Sequence, residues 1–248
     1  MTEANVARGR EPVPFAMSVL LSFVAGYVDS YTYLALFGLF VAQVTSSIVI
    51  AGAEVVRHDF GAIGKVLVLV IFLVAAATTA ALVGAVRDAG RAPLPWMLAL
   101  EAALLVIFVG IALFAPAIAG PGDWHGVVAG LFAAAAMGTQ SVLVRLLMKG
   151  IPQTNVMTGN MTQLGIAATE LILAWRRYRF SAHAAAEVGE FRKVRDQLVI
   201  VLAIASGFLV GAAAGAAAFA VIGVPGALAA VAIVGALALW AVLREPRG

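Results

Sequence analysis

Two carboxylic acids and a group of amides and hydroxyls stand inside segments that are otherwise apolar. Asp29 lies about mid-way along the first apolar segment, and Glu101 near the centre of the fourth, eight residues after Pro93. A carboxylate at bilayer depth costs roughly 2.5–3.5 kcal/mol on insertion scales, so it faces a bundle interior or water and marks an ion path by default. Both are therefore proton- or ion-coupling candidates. As a pair they could share one proton, since two like charges in a low dielectric do not both ionise readily. The structural alternative for Asp29 is an interior hydrogen-bonding anchor, to Ser30, Tyr31 or the sixth segment.

The hexapeptide Met157-Thr158-Gly159-Asn160-Met161-Thr162 is the densest polar break in the chain. At helical spacing, Thr154, Thr158 and Thr162 make one row and Asn155, Gly159 and Gln163 the next, which together form a polar stripe. Unwinding at Gly159 and Asn160 would free backbone groups to hold an ion or polar solute. The plainer alternative is interhelical glue, worth about 0.6 kcal/mol per hydrogen bond. Gln43, Thr45, Ser46 and Ser47 occupy the matching place upstream. Thr158 follows Thr45 at the interval, to within one position, at which Gly138 follows Gly26. A broken polar segment that recurs in two halves points to a transporter site between repeats. Gln140 joins the solute candidates. Arg145 is read as snorkelling to the cytoplasmic interface, with a gate or anion contact as the alternative. Glu54 and Glu170, near segment ends, are read as solvated, Glu54 beside Arg57.

Composition sets the solvent. The 248 residues are 63% hydrophobic and 12% charged, with a mean hydropathy of +1.03, whereas soluble domains carry roughly 25% charged residues. The whole of 1–248 reads as one membrane domain. Eight apolar segments fall at about 15–36, 39–56, 66–86, 93–114, 126–147, 151–175, 198–222 and 227–243. All are expected to be helices, because an open sheet edge cannot face lipid. The polar N-terminal stretch runs into the first segment with no small-x-small cleavage pattern, so a cleaved signal peptide is not expected.

Positive charge chooses between two topologies. With eight plain spans and the N-terminus inside, twelve Lys and Arg lie inside and four outside. With segments two and six re-entrant, six spans remain and the split is fourteen to two. The positive-inside rule favours the second plan. It also gives two halves of opposite orientation, about 15–119 and 126–243, each with three spans and one broken segment, and it places both termini in the cytoplasm. A cytoplasmic surface helix is expected at about 181–197, and the Trp175-to-Phe180 stretch of aromatics and arginines suits the headgroup layer.

Enzyme signatures are missing: the chain has no His-Glu-x-x-His, no Walker loop and no Gly-x-Ser-x-Gly. It has no cysteine, and its three histidines lie in separate loops, so no metal site is expected. No cofactor is expected either. The net charge of +3 fits cytoplasmic loop bias rather than nucleic-acid binding. Rows of small residues at Gly207, Gly211 and Gly215, and at Gly126, Gly130, Ala134 and Gly138, permit close helix contact. They read chiefly as packing within one protomer and remain compatible with a homo-oligomer.

The residues also resemble a known family. Ala25-Gly26-Tyr27-Val28-Asp29, Gly38-Leu39-Phe40-Val41-Ala42 and the Thr45-Ser46-Ser47 site are similar to the first half of the DUF1275 (YoaK-like) bacterial membrane proteins. Gly138-Thr139-Gln140-Ser141, Arg145 and Thr158-Gly159-Asn160-Met161-Thr162 resemble its second half, and the likeness spans roughly residues 18–243. It implies an all-α polytopic fold in the bacterial cytoplasmic (inner) membrane and no particular activity. The family usually shows Thr-Gly-Asn where this chain has Thr45-Ser46-Ser47, and often Asn where it has Ser141, which weakens an amide-based site in the first half.

The expectation is a transporter or facilitator of a small polar solute or ion, with a midplane site between the repeats and the lipid bilayer as its surroundings. The alternatives are a passive channel, and a non-transport module that binds a partner or lipid. The last would show its polar stripe filled by protein, with no void near Asp29 and Asn160.

Overall fold

The computed structural model describes residues 15–58, 61–116, 118–180 and 185–244. The described chain forms eight α-helices: α1 (Phe15–Ala35), α2 (Val44–Arg57), α3 (Ala62–Asp88), α4 (Pro93–Phe114), α5 (Trp124–Leu147), α6 (Met157–Phe180), α7 (Ala185–Ile222) and α8 (Leu228–Leu243). A 3-10 turn, Val224–Ala227, leads into α8. No strand occurs among the described residues, as a lipid environment requires of a chain with no closed barrel.

Six of these helices are long and apolar enough to cross a bilayer: α1, α3, α4, α5, α7 from Val188, and α8 with its leading turn. The two that are not are α2 and α6. At 14 residues, α2 reaches about 21 Å, short of the ~30 Å hydrocarbon core. At 24 residues α6 is long enough, but its threonines, amides and terminal arginines make it too polar. The division falls on the two segments that charge bias singled out.

Local chemistry sets the boundaries. Pro93 opens α4 in the first turn, where its missing N–H costs nothing. Asp123 caps α5: Oδ1 accepts from the His125 N–H at 2.9 Å and Oδ2 from the Ala119 N–H at 3.2 Å. Those amides, Ala119 foremost, hold the Asp123 carboxyl below the usual carboxylate range. α2 and α6 both start later than the apolar pattern predicts, at Val44 and Met157. Before α6, Pro152 disfavours helix at its predecessor Ile151, and the Asn160 amide holds the following turn at the Gln153 carbonyl. Thr154 and Asn155 consequently lie ahead of the helix, so the two predicted polar rows do not exist as helical rows. Gly159 and Asn160 are helical; the break precedes them at 151–156.

The surface helix expected at 181–197 is also corrected. Residues 181–184 lie outside the described residues, and from Ala185 the helix runs without interruption to Ile222. No proline falls in that stretch, so nothing stops the amphipathic part from continuing into the apolar part.

Helix α1 packs chiefly on α7, α5 on α3 and α4, α4 on α8, α2 on α3, and α6 on α7. The pairs α1–α7, α4–α5 and α2–α3 have counterparts in α5–α3, α8–α1 and α6–α7. Exchanging the first four helices for the last four thus carries each of these contacts into another that exists.

Small residues make the tightest contacts. A Cβ on Gly207 would meet the Val19 carbonyl oxygen at 2.9 Å, and Cβ atoms on Gly211 and Gly215 would overlap the carbonyls of Phe23 and Tyr27. Gly26 of α1 lies equally close to the Phe208 carbonyl of α7, and Gly138 of α5 to the Phe72 carbonyl of α3. The two glycine rows are therefore used inside the protomer, where dispersion between close backbones substitutes for the hydrophobic drive that lipid removes.

Candidate functional site

The chain doubles back after α1 and again after α5, and both turns begin with a left-handed residue. Phe37 (φ 53°) and Gly38 (φ 82°) reverse it after α1, and Gly150 (φ 81°) after α5. Phe37 and Gly150 are separated by the same interval as Thr45 and Thr158, so the two reversals fall at equivalent places in the halves. By 41–43 the backbone has returned to the level of Asp29, six residues before the end of α1. There one Asp29 carboxylate oxygen, Oδ1, accepts hydrogen bonds from the N–H groups of Val41 and Ala42, each at 2.8 Å, and of Gln43 at 3.3 Å. These amides precede the first turn of α2, which its own helix cannot satisfy. Asp29 is a buried anchor, as the alternative reading allowed, but its partner is the loop before α2 rather than Ser30, Tyr31 or α6.

A second latch closes each turn. The Ser47 hydroxyl donates to the Phe40 carbonyl at 2.8 Å and accepts from the Phe40 N–H at 2.9 Å. The Asn160 amide donates to the Gln153 carbonyl at 2.7 Å. Ser47 pairs with Asn160, and Phe40 with Gln153, at the interval that relates Phe37 to Gly150. Ser47 therefore makes in the first half the contact that Asn160 makes in the second. Ser141 stands to Asp29 as Gly138 stands to Gly26, and it points the same way. Its hydroxyl lies 3.4 Å from Gln153 Oε1 and 3.5 Å from Asn155 Oδ1, in the loop before α6.

Around the second turn the polar groups are knitted to the bundle. Gln140 Nε2 donates to the Leu21 carbonyl and to Thr154 Oγ1, each at 2.8 Å. Ser22 donates to the Ile204 carbonyl at 2.7 Å and approaches the Thr154 carbonyl at 3.3 Å. Thr154, Asn155, Asn160, Gln140, Asp29 and Ser47 are all buried.

The other candidates lie elsewhere. Thr45, Thr158, Gly159 and Thr162 are on exposed faces, and Gln43, Ser46 and Gln163 are half-buried. The Thr162 hydroxyl turns back to the Thr158 carbonyl at 3.1 Å. Glu101 is fully buried, yet neither of its oxygens has a hydrogen-bond partner among the described residues. No hydrogen bond joins Glu101 to Asp29, which as a pair could have shared a proton. Leu21 packs in one core cluster with Leu98, and Val24, Tyr31, Leu105 and Phe108 pack in the next.

Neither of the two cavities described is lined by Asp29 or Asn160. One, of ≈ 390 Å³, opens between α3, α4 and α5 beside Thr78, Thr79 and Thr139, with otherwise apolar walls. The other, of ≈ 10 Å³, lies against Lys65 and Phe37, room for about one water. Sequence reasoning counted Lys65 only as one of the two positive charges outside and missed its contacts. It is buried in the first turn of α3, bonded to Glu54 at 2.7 Å and to the Phe37 carbonyl at 3.3 Å. Glu54 is thus not solvated beside Arg57. Opposite charges on the two arms of a helix hairpin were the available signal. Ser22 and the carbonyls of Phe40 and Gln153 were missed too, although the repeat interval would have found the last two. No cluster of three or more metal-ligating side chains occurs among the described residues.

Six apolar helices around a buried polar layer define a multi-pass helical membrane protein. The family model described as "Protein of unknown function (DUF1275)" matches residues 17–242, and the chain belongs to that family. No curated protein and no solved structure matches it.

Proposed function

We propose that the protein is a secondary transporter or facilitator of a small polar solute in the cytoplasmic membrane of a bacterium, working by alternating access around α2 and α6. The observation that carries the reading is the pair of equivalent latches: Ser47 on Phe40, and Asn160 on Gln153. Each holds a doubled-back turn and a helix outside the six candidate spans, at the same place in its half. Irregular backbone at membrane depth is tolerated where it is buried in protein or lines a water-filled cavity, and paired segments of this kind are a common transporter plan. Both latches are shut in this conformation, so access from either side requires one to open. Gln43, Thr45, Ser46, Asn155, Thr158, Gly159, Thr162 and Gln163 would then be positioned to contact solute, and Asp29 would tie the moving loop to α1.

Proteoliposomes that trap a pH-sensitive dye test this. They are challenged with amino acids, sugars, polyols and nucleosides under an imposed pH gradient. The expected result is saturable, solute-dependent proton flux with one class, abolished by cross-linking cysteines placed at positions 40 and 47. Flux that never saturates would make the protein a channel. No flux with any class, together with indifference to the cross-link, would contradict the transport reading.

A second reading has its own support. Asp29 and Asn160 are filled by protein partners, with no described cavity at either, as a non-transport membrane module would have. Such a module predicts no solute response in the same vesicles and unchanged partner or lipid binding when the 40–47 cross-link is formed.

A further inference from the structure

The middle of the bundle holds three acceptor atoms with no hydrogen-bond donor among the described residues. Glu101 Oε1, Glu101 Oε2 and Gln140 Oε1 are buried without a hydrogen-bond partner. They belong to one layer. On α1 the two core clusters meet between Leu21 and Val24, on α4 between Leu98 and Leu105, on α5 between Met137 and Leu143, and on α8 between Val234 and Ala238. Glu101 and Gln140 each lie at that seam, on helices that pack against one another. The Gln140–Leu21 hydrogen bond fixes the same level on α1.

The donors nearby are spent. Both bonds from Gln140 Nε2 go to Leu21 and Thr154, and the Ser22 hydroxyl goes to Ile204. The Tyr27 and Tyr31 hydroxyls donate to carbonyls of Gly226 and Val224. Among charged groups on α1 and on the helices packed against α4, Asp29 of α1 is held by loop amides, and Lys65 of α3 by Glu54. Arg87 and Asp88 lie at one end of α3, and His125 and Arg145 at opposite ends of α5. α8 carries no charged residue between Leu228 and Leu243. An ionised carboxylate with neither counter-ion nor donor is the most costly group a protein interior can hold.

We propose that Glu101 and Gln140 form a proton-binding site at the centre of the bundle, in which Glu101 carries the proton as a carboxylic acid and the Gln140 amide carbonyl accepts its hydrogen bond. Binding converts Glu101 carboxylate plus one proton into the neutral acid, and release reverses it, with no other bond made or broken. The site deepens the transport reading by locating its coupling ion, and it rests on that reading only for the use the proton is put to.

Infrared spectroscopy of the reconstituted full-length protein tests it. At about pH 7, where ordinary carboxyls with pKa near 4 are ionised, wild type is expected to show a carboxylic-acid C=O band. That band is lost in Glu101→Gln, an isosteric neutral change whose folding is checked by its thermal melt, persists in Asp29→Asn, and shifts in frequency in Gln140→Leu. No acid band in wild type, a band that survives Glu101→Gln, or a band indifferent to Gln140→Leu in a folded variant would overturn the assignment. If Gln140→Leu does not fold, the comparison of wild type with Glu101→Gln still decides whether Glu101 holds the proton. A band without solute-linked flux retires transport and leaves the proton site standing; flux without the band does the reverse.

Discussion

Asp29 shows how much one side chain can organise. Its carboxylate replaces the acceptors that three amides would otherwise lack inside the membrane. Asp29→Ala is expected to cost at least about 1–3 kcal/mol, the penalty for a single unsatisfied buried group, read as a lower unfolding midpoint in detergent. Asp29→Asn keeps one acceptor oxygen and should lose less. Lys65 makes a related case. Its ion pair with Glu54 is nearly dry, with side-chain exposures of 2% and 15%, and removing one partner strands the other. Lys65→Met alone should cost about 3–5 kcal/mol, and the Lys65→Met, Glu54→Leu double variant much less. A loss in the double variant equal to the sum of the Lys65→Met and Glu54→Leu losses would show that the pair is not coupled. The residues that matter here were only partly legible. Asp29 and Glu101 announce themselves because a carboxylate in an apolar run is expensive. What each touches does not, because partners such as the Val41 amide and the Phe40 carbonyl are backbone groups, which carry no residue-type signal.

Among the elements, α1 and α7 are joined by backbones that meet at Gly26, Gly207, Gly211 and Gly215. Gly211→Val would drive side-chain atoms into the Phe23 carbonyl, and overpacking of this kind costs about 1–3 kcal/mol or more. Gly110, with no atom within 4 Å of its would-be Cβ, provides the contrast: Gly110→Ala should be neutral or slightly stabilising, since alanine is the better helix former by about 1 kcal/mol. Thermal stability of the two purified variants checks both. Eight helices were readable from eight apolar runs, since lipid allows the backbone few other solutions. Their starts were less so. Thr154 and Asn155 sit at helical spacing from Thr158 and Gly159, and periodicity alone cannot see that Pro152 and the returning turn exclude them. The join between the surface stretch and α7 was hidden for the opposite reason: a change from polar to apolar composition looks like a boundary, yet nothing in 185–222 breaks a helix.

For the molecule as a whole, the account depends on α2 and α6 entering from opposite faces and leaving by the same faces. The short length of α2, the polarity of α6, the charge split and the paired turns at equivalent places in the two halves all favour that arrangement. If instead both helices crossed, the two halves would have the same orientation and the latches would not face opposite sides. The native chain has no cysteine, so single cysteines can be placed one at a time in the otherwise unaltered protein. The most direct measurement is their labelling by a membrane-impermeant maleimide in intact and in permeabilised cells. With cysteines at Ala89, Gly150, Arg57 and Gly120, the account predicts protection of 89 and 150 until the membrane is opened, and immediate labelling of 57 and 120. Immediate labelling of 89 and 150 together with 57 protected would mean eight crossings, and would contradict it.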